Sequence, residues 1–286
     1  DDIRTRSGVG NMAREIIVNT AHYFNWINLG GAINHPDHGK GFDLSQDVNT
    51  QAGLTDSNVK VIASQNYGNA DMLRHIINQE NPDALIHFTD PRYWVWLYQM
   101  ENEIRQKIPM IFYTIWDDLP YPMWNREFYR SDDMLLCISK QTKNLVENVL
   151  RNHKKPDWAI KYVPHGIDEK DFFPIREGDE LYPKLLEFKE KTVPVDADFI
   201  VYFNSRNIHR KRPGDTLMAY KHFCDLIGEE KAKKTALVMH TQPSDNNGTD
   251  LQAMKNTFFP EGNIYFSSQK ISPQQMNFMY NMADLT

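Results

Sequence analysis

Arg206, Arg210, Lys211 and Arg212 fall within the ten residues 204–213, and no carboxylate interrupts them. Cations grouped this closely suit an anionic ligand such as a diphosphate, because a planar guanidinium takes two phosphate oxygens and an ammonium acts as a point charge. The apolar, β-branched and aromatic run 199–203 predicts a strand just before them. Helical periodicity over 214–227, with Pro213 ahead of it, predicts a helix start just after. Amides at a helix N-terminus lack intrahelical partners and carry partial positive charge, so the cations and the helix start together read as an anion site that includes Ser205. A solvated basic loop is the plainer reading of the same charges.

Other residues invite chemistry of their own. Ser7, Gly8, Val9 and Gly10 open a helix that is expected to run to about Phe24, and two glycines there let a backbone approach a phosphate or sugar closely. Pro164, His165 and Gly166 predict a tight turn ending a strand, with Gly166 supplying an unusual backbone angle and Asp168 free to cap it. Ser139, at the start of the predicted helix 140–150, is either a helix cap or a ligand contact. His87 and Asp90 follow the apolar run Ala84–Ile86 and are expected at its carboxyl end, where either accepts a proton or orients an acceptor. Asp196 and Asp198 form an Asp-x-Asp that precedes its strand instead of ending one, and His35, Asp37 and His38 are too close in sequence for an ordinary zinc site. No metal is expected.

Between these residues the chain alternates strand-like and helical segments, the pattern of parallel sheets with crossover helices. Strands are predicted at 59–64, 84–88, 110–115, 134–138 and 160–163, with helices at 70–79, 94–106 and 140–150. Pro174, Gly178, Pro183 and Pro194 break up the next stretch, which reads as a linker over 171–195 between a first domain at 1–170 and a second at 196–286. The second repeats the alternation, with strands at 199–203, 235–240 and 263–266 and helices at 214–227, 249–258 and 273–282. Two doubly wound units of this kind are expected to hold a ligand between the carboxyl ends of their strands. The chain opens on Asp1 rather than Met and closes where a helix hands over to another strand, so it reads as a piece of a longer protein with an incomplete second domain.

Composition narrows the partners. Lys and Arg number 32 against 38 Asp and Glu, a net charge of −6, which disfavours sequence-independent binding along a polynucleotide. No apolar run reaches the roughly 20 residues of a membrane span. Only two cysteines occur, Cys137 and Cys224, both in apolar stretches, which suits core thiols in a reducing compartment and a cytoplasmic protein with, at most, peripheral membrane contact. The glycosylation sequon at Asn247 is a short match with nothing else to suggest secretion.

The chain resembles the GT-B glycosyltransferases of the family 4 type. The likeness rests on Ser7-Gly8-Val9-Gly10, on Val163-Pro164-His165-Gly166-Ile167-Asp168, and on Ser205-Arg206 with Lys211-Arg212, in that order along an alternating α/β chain. It implies two Rossmann-like domains and a retaining, metal-independent transferase without a cofactor, moving a sugar from a UDP- or GDP-sugar to a glycan, lipid or protein hydroxyl. Carried over residue by residue, it gives Arg206 and Lys211 the departing diphosphate. Gly8, Gly10, Ser139, His165, Gly166 and Ser205 take the donor side, and His87, Asp90, Trp116 and Asp117 the acceptor side. His165 stands where such enzymes usually have Asn, and Trp116 where they often have His. Their paired glutamates, which hold the donor sugar, would begin beyond Thr286, so the chain alone is expected to bind nucleotide weakly and turn over little. A non-catalytic nucleotide-sugar-binding module of the same fold is the alternative.

Overall fold

Burial alternates along the strand Phe199–Asn204, with Ile200 and Tyr202 on one face and Val201 and Phe203 on the other. The neighbouring strand Thr235–His240 repeats this, Ala236 and Val238 turning one way and Leu237 and Met239 the other. A strand that is apolar on both faces needs cover on both, which is why such runs belong to parallel sheets flanked by helices. The strands Phe199–Asn204, Thr235–His240 and Ile264–Ser267 form that sheet, all parallel, with Phe199 opposite Thr235 and Leu237 opposite Ile264. The helix Pro213–Ile227 contributes Leu217, Tyr220 and Cys224 to one face, where Leu251 of the helix Leu251–Phe258 joins them. Phe278 and Met279 of the helix Pro273–Asn281 pack on the other face. Leu285 adds a parallel bridge to Val201, so the chain does enter strand-like structure after its last helix.

The computed structural model describes residues 1–5 and 7–286, which fall into two units, Asp1–Gly166 and Ile167–Thr286. The stretch 171–195, read from its prolines and glycine as a linker, is packed into the second unit. Ile175, together with Leu185 of the helix Tyr182–Thr192 and Val193 just beyond it, is buried in the core cluster under Ile200 and Phe278. Breaker residues mark where regular structure stops, and they do not report whether the apolar residues between them find a core.

The first unit carries a parallel four-stranded sheet in chain order, Leu85–Phe88, Met110–Thr114, Met134–Cys137 and Ile160–Tyr162. A second sheet places Val59–Ala63 between Trp26–Gly30, which runs parallel to it, and Gly41–Asp43, which runs antiparallel. Trp26–Gly30 was not anticipated. The first helix ends at Thr20 instead of continuing to Phe24, and the chain turns into this strand through exposed Tyr23 and Phe24. The helix predicted over 94–106 is also broken. A 3-10 turn Pro91–Trp94 leads into Val95–Gln99, Met100 leaves the helical region (φ −107°, ψ 17°), and a new turn runs over Glu101–Arg105. The break keeps both Leu97 and Ile104 buried in one cluster with Trp94 and Met110. Cys137 and Cys224 are buried free thiols, and burial pushes the Cys137 thiol up to about 12.

Candidate functional site

The basic loop leaves the carboxyl end of Phe199–Asn204, passes through a 3-10 turn at His209–Lys211 and enters the helix Pro213–Ile227. Its anchor is Asn207, whose side chain is fully buried. Asn207 Nδ2 donates to the carbonyl oxygens of Thr249 at 2.6 Å and Gln242 at 3.0 Å, while its Oδ1 accepts from Thr249 N at 3.0 Å. Gly248 makes room for this clamp, since a Cβ there would collide with the backbone and side chain of Asn207. His209 N donates to Asn247 O at 3.0 Å, a second tie between the two loops. Buried amide bonds of this kind cost little while satisfied and much when broken, so they hold the loop in one shape.

On that base Arg206 and Lys211 are exposed. Arg206 Nε donates to Asp245 Oδ2 at 3.2 Å with two thirds of its side chain in solvent, and Asp245, which also accepts from Asn247 N, is held below the usual carboxylate range by those two bonds. Lys211 has no side-chain partner among the described residues, whereas Arg212 pairs with Asp215 at 2.5 Å. Ser205 sits half-buried at the strand end. The helix start offers less than expected. Pro213 has no N–H, Asp215 N and Thr216 N bond back to Arg212 O, and the Asp215 carboxylate in the first turn already faces the helix dipole. Arg212 takes a left-handed conformation (φ 51°) to make that turn, and the exposed positive charge of this loop lies in its side chains.

In the first unit the loops after successive parallel strands gather at their carboxyl ends. Asp90 accepts from Arg92 N at 3.0 Å and from both Nε and Nη2 of the Arg92 guanidinium, which holds the carboxyl low despite its partial burial. The Arg92 guanidinium in turn lies 5.4 Å over the ring of Trp116. Trp116 O accepts from Thr142 Oγ1 at 2.8 Å and Asp117 O from Gln141 Nε2 at 2.9 Å, so the next helix start is tied in as well. Ser139 caps that helix by accepting from Thr142 N at 2.9 Å. Asp90, Trp116, Asp117 and Ser139 are therefore neighbours, as the strand order requires.

Two expectations need correction, the exposure of His87 and the backbone angle of Gly166. His87 does not face solvent: it is 3% exposed, stacked on its register partner Phe112 at 4.7 Å, with Nδ1 2.8 Å from the Tyr98 hydroxyl. Tyr98 continues to buried Asp132 at 3.3 Å, whose carboxyl burial pushes up, and burial lowers His87 to about 3. A neutral imidazole locked in a core is a poor proton acceptor near pH 7. Gly166 needs no special backbone angle, and a Cβ on it would meet nothing within 4 Å. Its neighbour His165 is a packed side chain, edge-on to Phe88 and Tyr113, with Nε2 buried and its pKa lowered by that burial. Gly10 is close to backbone, though its own: a Cβ there would lie 2.7 Å from Thr5 O, and its amide donates to the Ser7 cap at 2.9 Å. Gly8 is exposed with open space around it.

Sequence reasoning passed over Asn207, Gly248, Asp245 and Arg92. Only Arg92 had a local signal, a cation two residues after Asp90; the others act across 35 to 42 residues. Among the described residues no group of three His, Cys, Asp or Glu side chains could hold a metal ion. Asp198 pairs with Lys234, and Asp37 with Lys40. A hollow of about 450 Å³ in the first unit is lined by Lys60, Met72, His75 and Glu80, and none of the candidate residues lines it. No helix among the described residues is long and apolar enough to cross a membrane.

Two units with parallel sheets flanked by helices, the second bearing a basic loop after its first strand, have the GT-B fold. Solved structures of that kind match nearly the whole chain. Anabaena HepE in complex with UDP and glucose superposes with a TM-score of 0.60 at 10% identity, over 95% of this chain and 69% of that one. An E. coli trehalose-6-phosphate structure bound with UDP-2-fluoro glucose gives 0.62 at 12%, over 98% and 75%. The UDP-forming trehalose-phosphate synthase of Burkholderia xenovorans, in complex with glucose-6-phosphate, gives 0.61 at 8%, over 97% and 75%. At such identities the likeness is one of fold. No protein-family model matches the chain, and no curated protein matches it.

Proposed function

We propose that the protein is a glycosyltransferase that takes a sugar from a nucleotide sugar, a UDP-sugar by analogy with its structural neighbours. The observation that carries this reading is the pair of exposed cations, Arg206 and Lys211, on a loop pinned from beneath by Asn207. Breaking a glycosyl phosphate bond leaves negative charge on the diphosphate, and cations already in place lower that barrier without having to reorganise. Such cations do the work that a divalent ion does elsewhere, hence a metal-independent reaction. The Arg206–Asp245 pair is no obstacle, since an ion pair this exposed is screened by solvent and exchanges readily for a diphosphate. Retention of configuration and acceptance of the sugar by a hydroxyl at the first unit's strand ends belong to the same proposal.

Calorimetry with UDP on the full protein tests it. Replacing Arg206 and Lys211 together by Ala is expected to weaken UDP about 100-fold, close to 3 kcal/mol, and to lower turnover by a similar factor or more. Unchanged UDP affinity in that variant would end the proposal. NMR of the product's anomeric proton checks retention.

A second reading, a nucleotide-sugar-binding module without turnover, is favoured by one set of contacts. Both expected proton acceptors are engaged, His87 in the core and Asp90 by Arg92. Donor hydrolysis separates the two: UDP-sugar binding with no release of free sugar, with or without acceptors, selects the binding module.

A further inference from the structure

A run of aromatic rings, Tyr93 and Trp124 exposed and Tyr67 and Trp116 half-buried, lies beside the loop that carries Asp90 in the first unit. Tyr67 and Tyr93 stack face to face, centroids 5.0 Å apart and planes within 14°, with Tyr93 56% exposed. Asp90 is close enough to the Tyr67 phenol to help raise its pKa, after burial and Tyr93. From Asp90 the line continues through the Arg92 guanidinium to Trp116, and from Trp116 to Trp124, an edge contact at 5.9 Å with Trp124 55% exposed. Large rings are normally spent on a core or on a partner, and an exposed series of them marks a binding surface.

We propose that the ledge formed by Tyr67, Tyr93, Arg92, Trp116 and Trp124 binds an oligosaccharide, which makes the acceptor a glycan chain. The inference rests on the transferase reading only for the word acceptor. Sugar rings present apolar C–H faces that lie against aromatic π-faces, and hydroxyls at their edges that need planar, paired hydrogen-bonding groups. The ledge supplies both, since Arg92 and Asp90 sit between the two aromatic pairs and the carboxylate of Asp117 is exposed beside Trp116. Charge selects against the other users of an exposed aromatic surface. Asp117 and Asp118 are exposed on the same loop, and they repel an anionic membrane while accepting from vicinal hydroxyls. An isolated sugar would cover one ring pair, whereas a chain of several residues covers the series.

The test uses the full protein on an immobilised array of neutral oligosaccharides built from glucose, galactose, mannose and N-acetylglucosamine. Wild type is expected to be retained by at least one member, and Tyr93→Leu and Trp124→Leu each to weaken that retention tenfold or more. Both positions are more than half exposed, so the variants fold, which an unchanged Tm verifies. Leucine keeps apolar area but no ring face. Retention by no array member, retention unaffected by both substitutions, or binding of phosphatidylserine vesicles that both variants lose overturns the proposal. UDP affinity measured on the same variants is expected to stay unchanged. It reports separately on the nucleotide site, so failure of the ledge and failure of the transferase reading give different results.

Discussion

The loop after Asn204 and the strand ends of the first unit arrange polar residues in opposite ways. In the loop the buried group is a neutral amide, Asn207, and the charges of Arg206 and Lys211 are left outside, where solvent or a ligand reaches them. At the strand ends the ionisable His87 is inside, neutral and stacked on Phe112, while Asp90 outside it is already paired with Arg92. The difference teaches where ligand chemistry is available. An amide can be buried at little cost because it satisfies itself with backbone, so it serves as scaffold and leaves the cations at the surface, Arg206 held only by its exposed contact with Asp245. A charge inside the core would cost too much, so His87 gives up its proton and with it its use as a base.

That contrast can be broken at its scaffold first. Asn207→Ala strips three backbone groups, Gln242 O, Thr249 O and Thr249 N, of their bonds to a buried amide and is expected to destabilise the second unit by about 3 kcal/mol, read by urea unfolding. A loss below about 1 kcal/mol would mean that the clamp is not what holds the loop.

The next effect concerns the imidazole. His87 ionises near 6.5 when unfolded and near 3 when folded, so acid favours the unfolded chain, which binds the proton that the folded one refuses. Its contribution to stability is complete above pH 6.5 and drains away as pH falls toward 3, with a slope of up to about 1.4 kcal/mol per pH unit. His87→Phe is expected to remove that slope from the pH profile of unfolding. A variant whose acid limb matches wild type would show the imidazole to be solvated.

Smaller again is the pair of glycines. Gly10→Ala places a methyl 2.7 Å from Thr5 O and is expected to cost about 1–3 kcal/mol in thermal unfolding. Gly8→Ala, with nothing near it, is expected to stay within about 0.5 kcal/mol of wild type. If instead both leave stability alone and weaken UDP, the glycine loop meets the donor after all.

Short-range features were legible. Phe199–Asn204 and Met110–Thr114 announce themselves as strands because four or five consecutive apolar, β-branched or aromatic residues have no other stable use in an alternating chain. Arg206 and Lys211 could be placed because the strand end before them and the proline after them bound the loop on both sides. Ser139 could be read as a cap for the same local reason. The strand at 85–88 marks the limit. Its period of two says that Ile86 and His87 face opposite sides, and hydropathy would turn Ile86 inward, yet Ile86 is 43% exposed and His87 3%. The phenol of Tyr98 and the ring of Phe112 decide the matter, and they come from other elements.

By itself, then, the amino-acid sequence determined most of the strands and crossover helices beyond residue 58, the doubly wound class and the position of the basic loop, because these follow from periodicity and from breakers a few residues apart. Only the tertiary structure decided that Ile175, Leu185 and Val193 of the stretch 171–195 join the second unit's core, that His87 is buried and that Asn207 reaches Thr249. Each of those depends on contacts between residues distant in the chain, whose free energy comes from surfaces that meet only on folding.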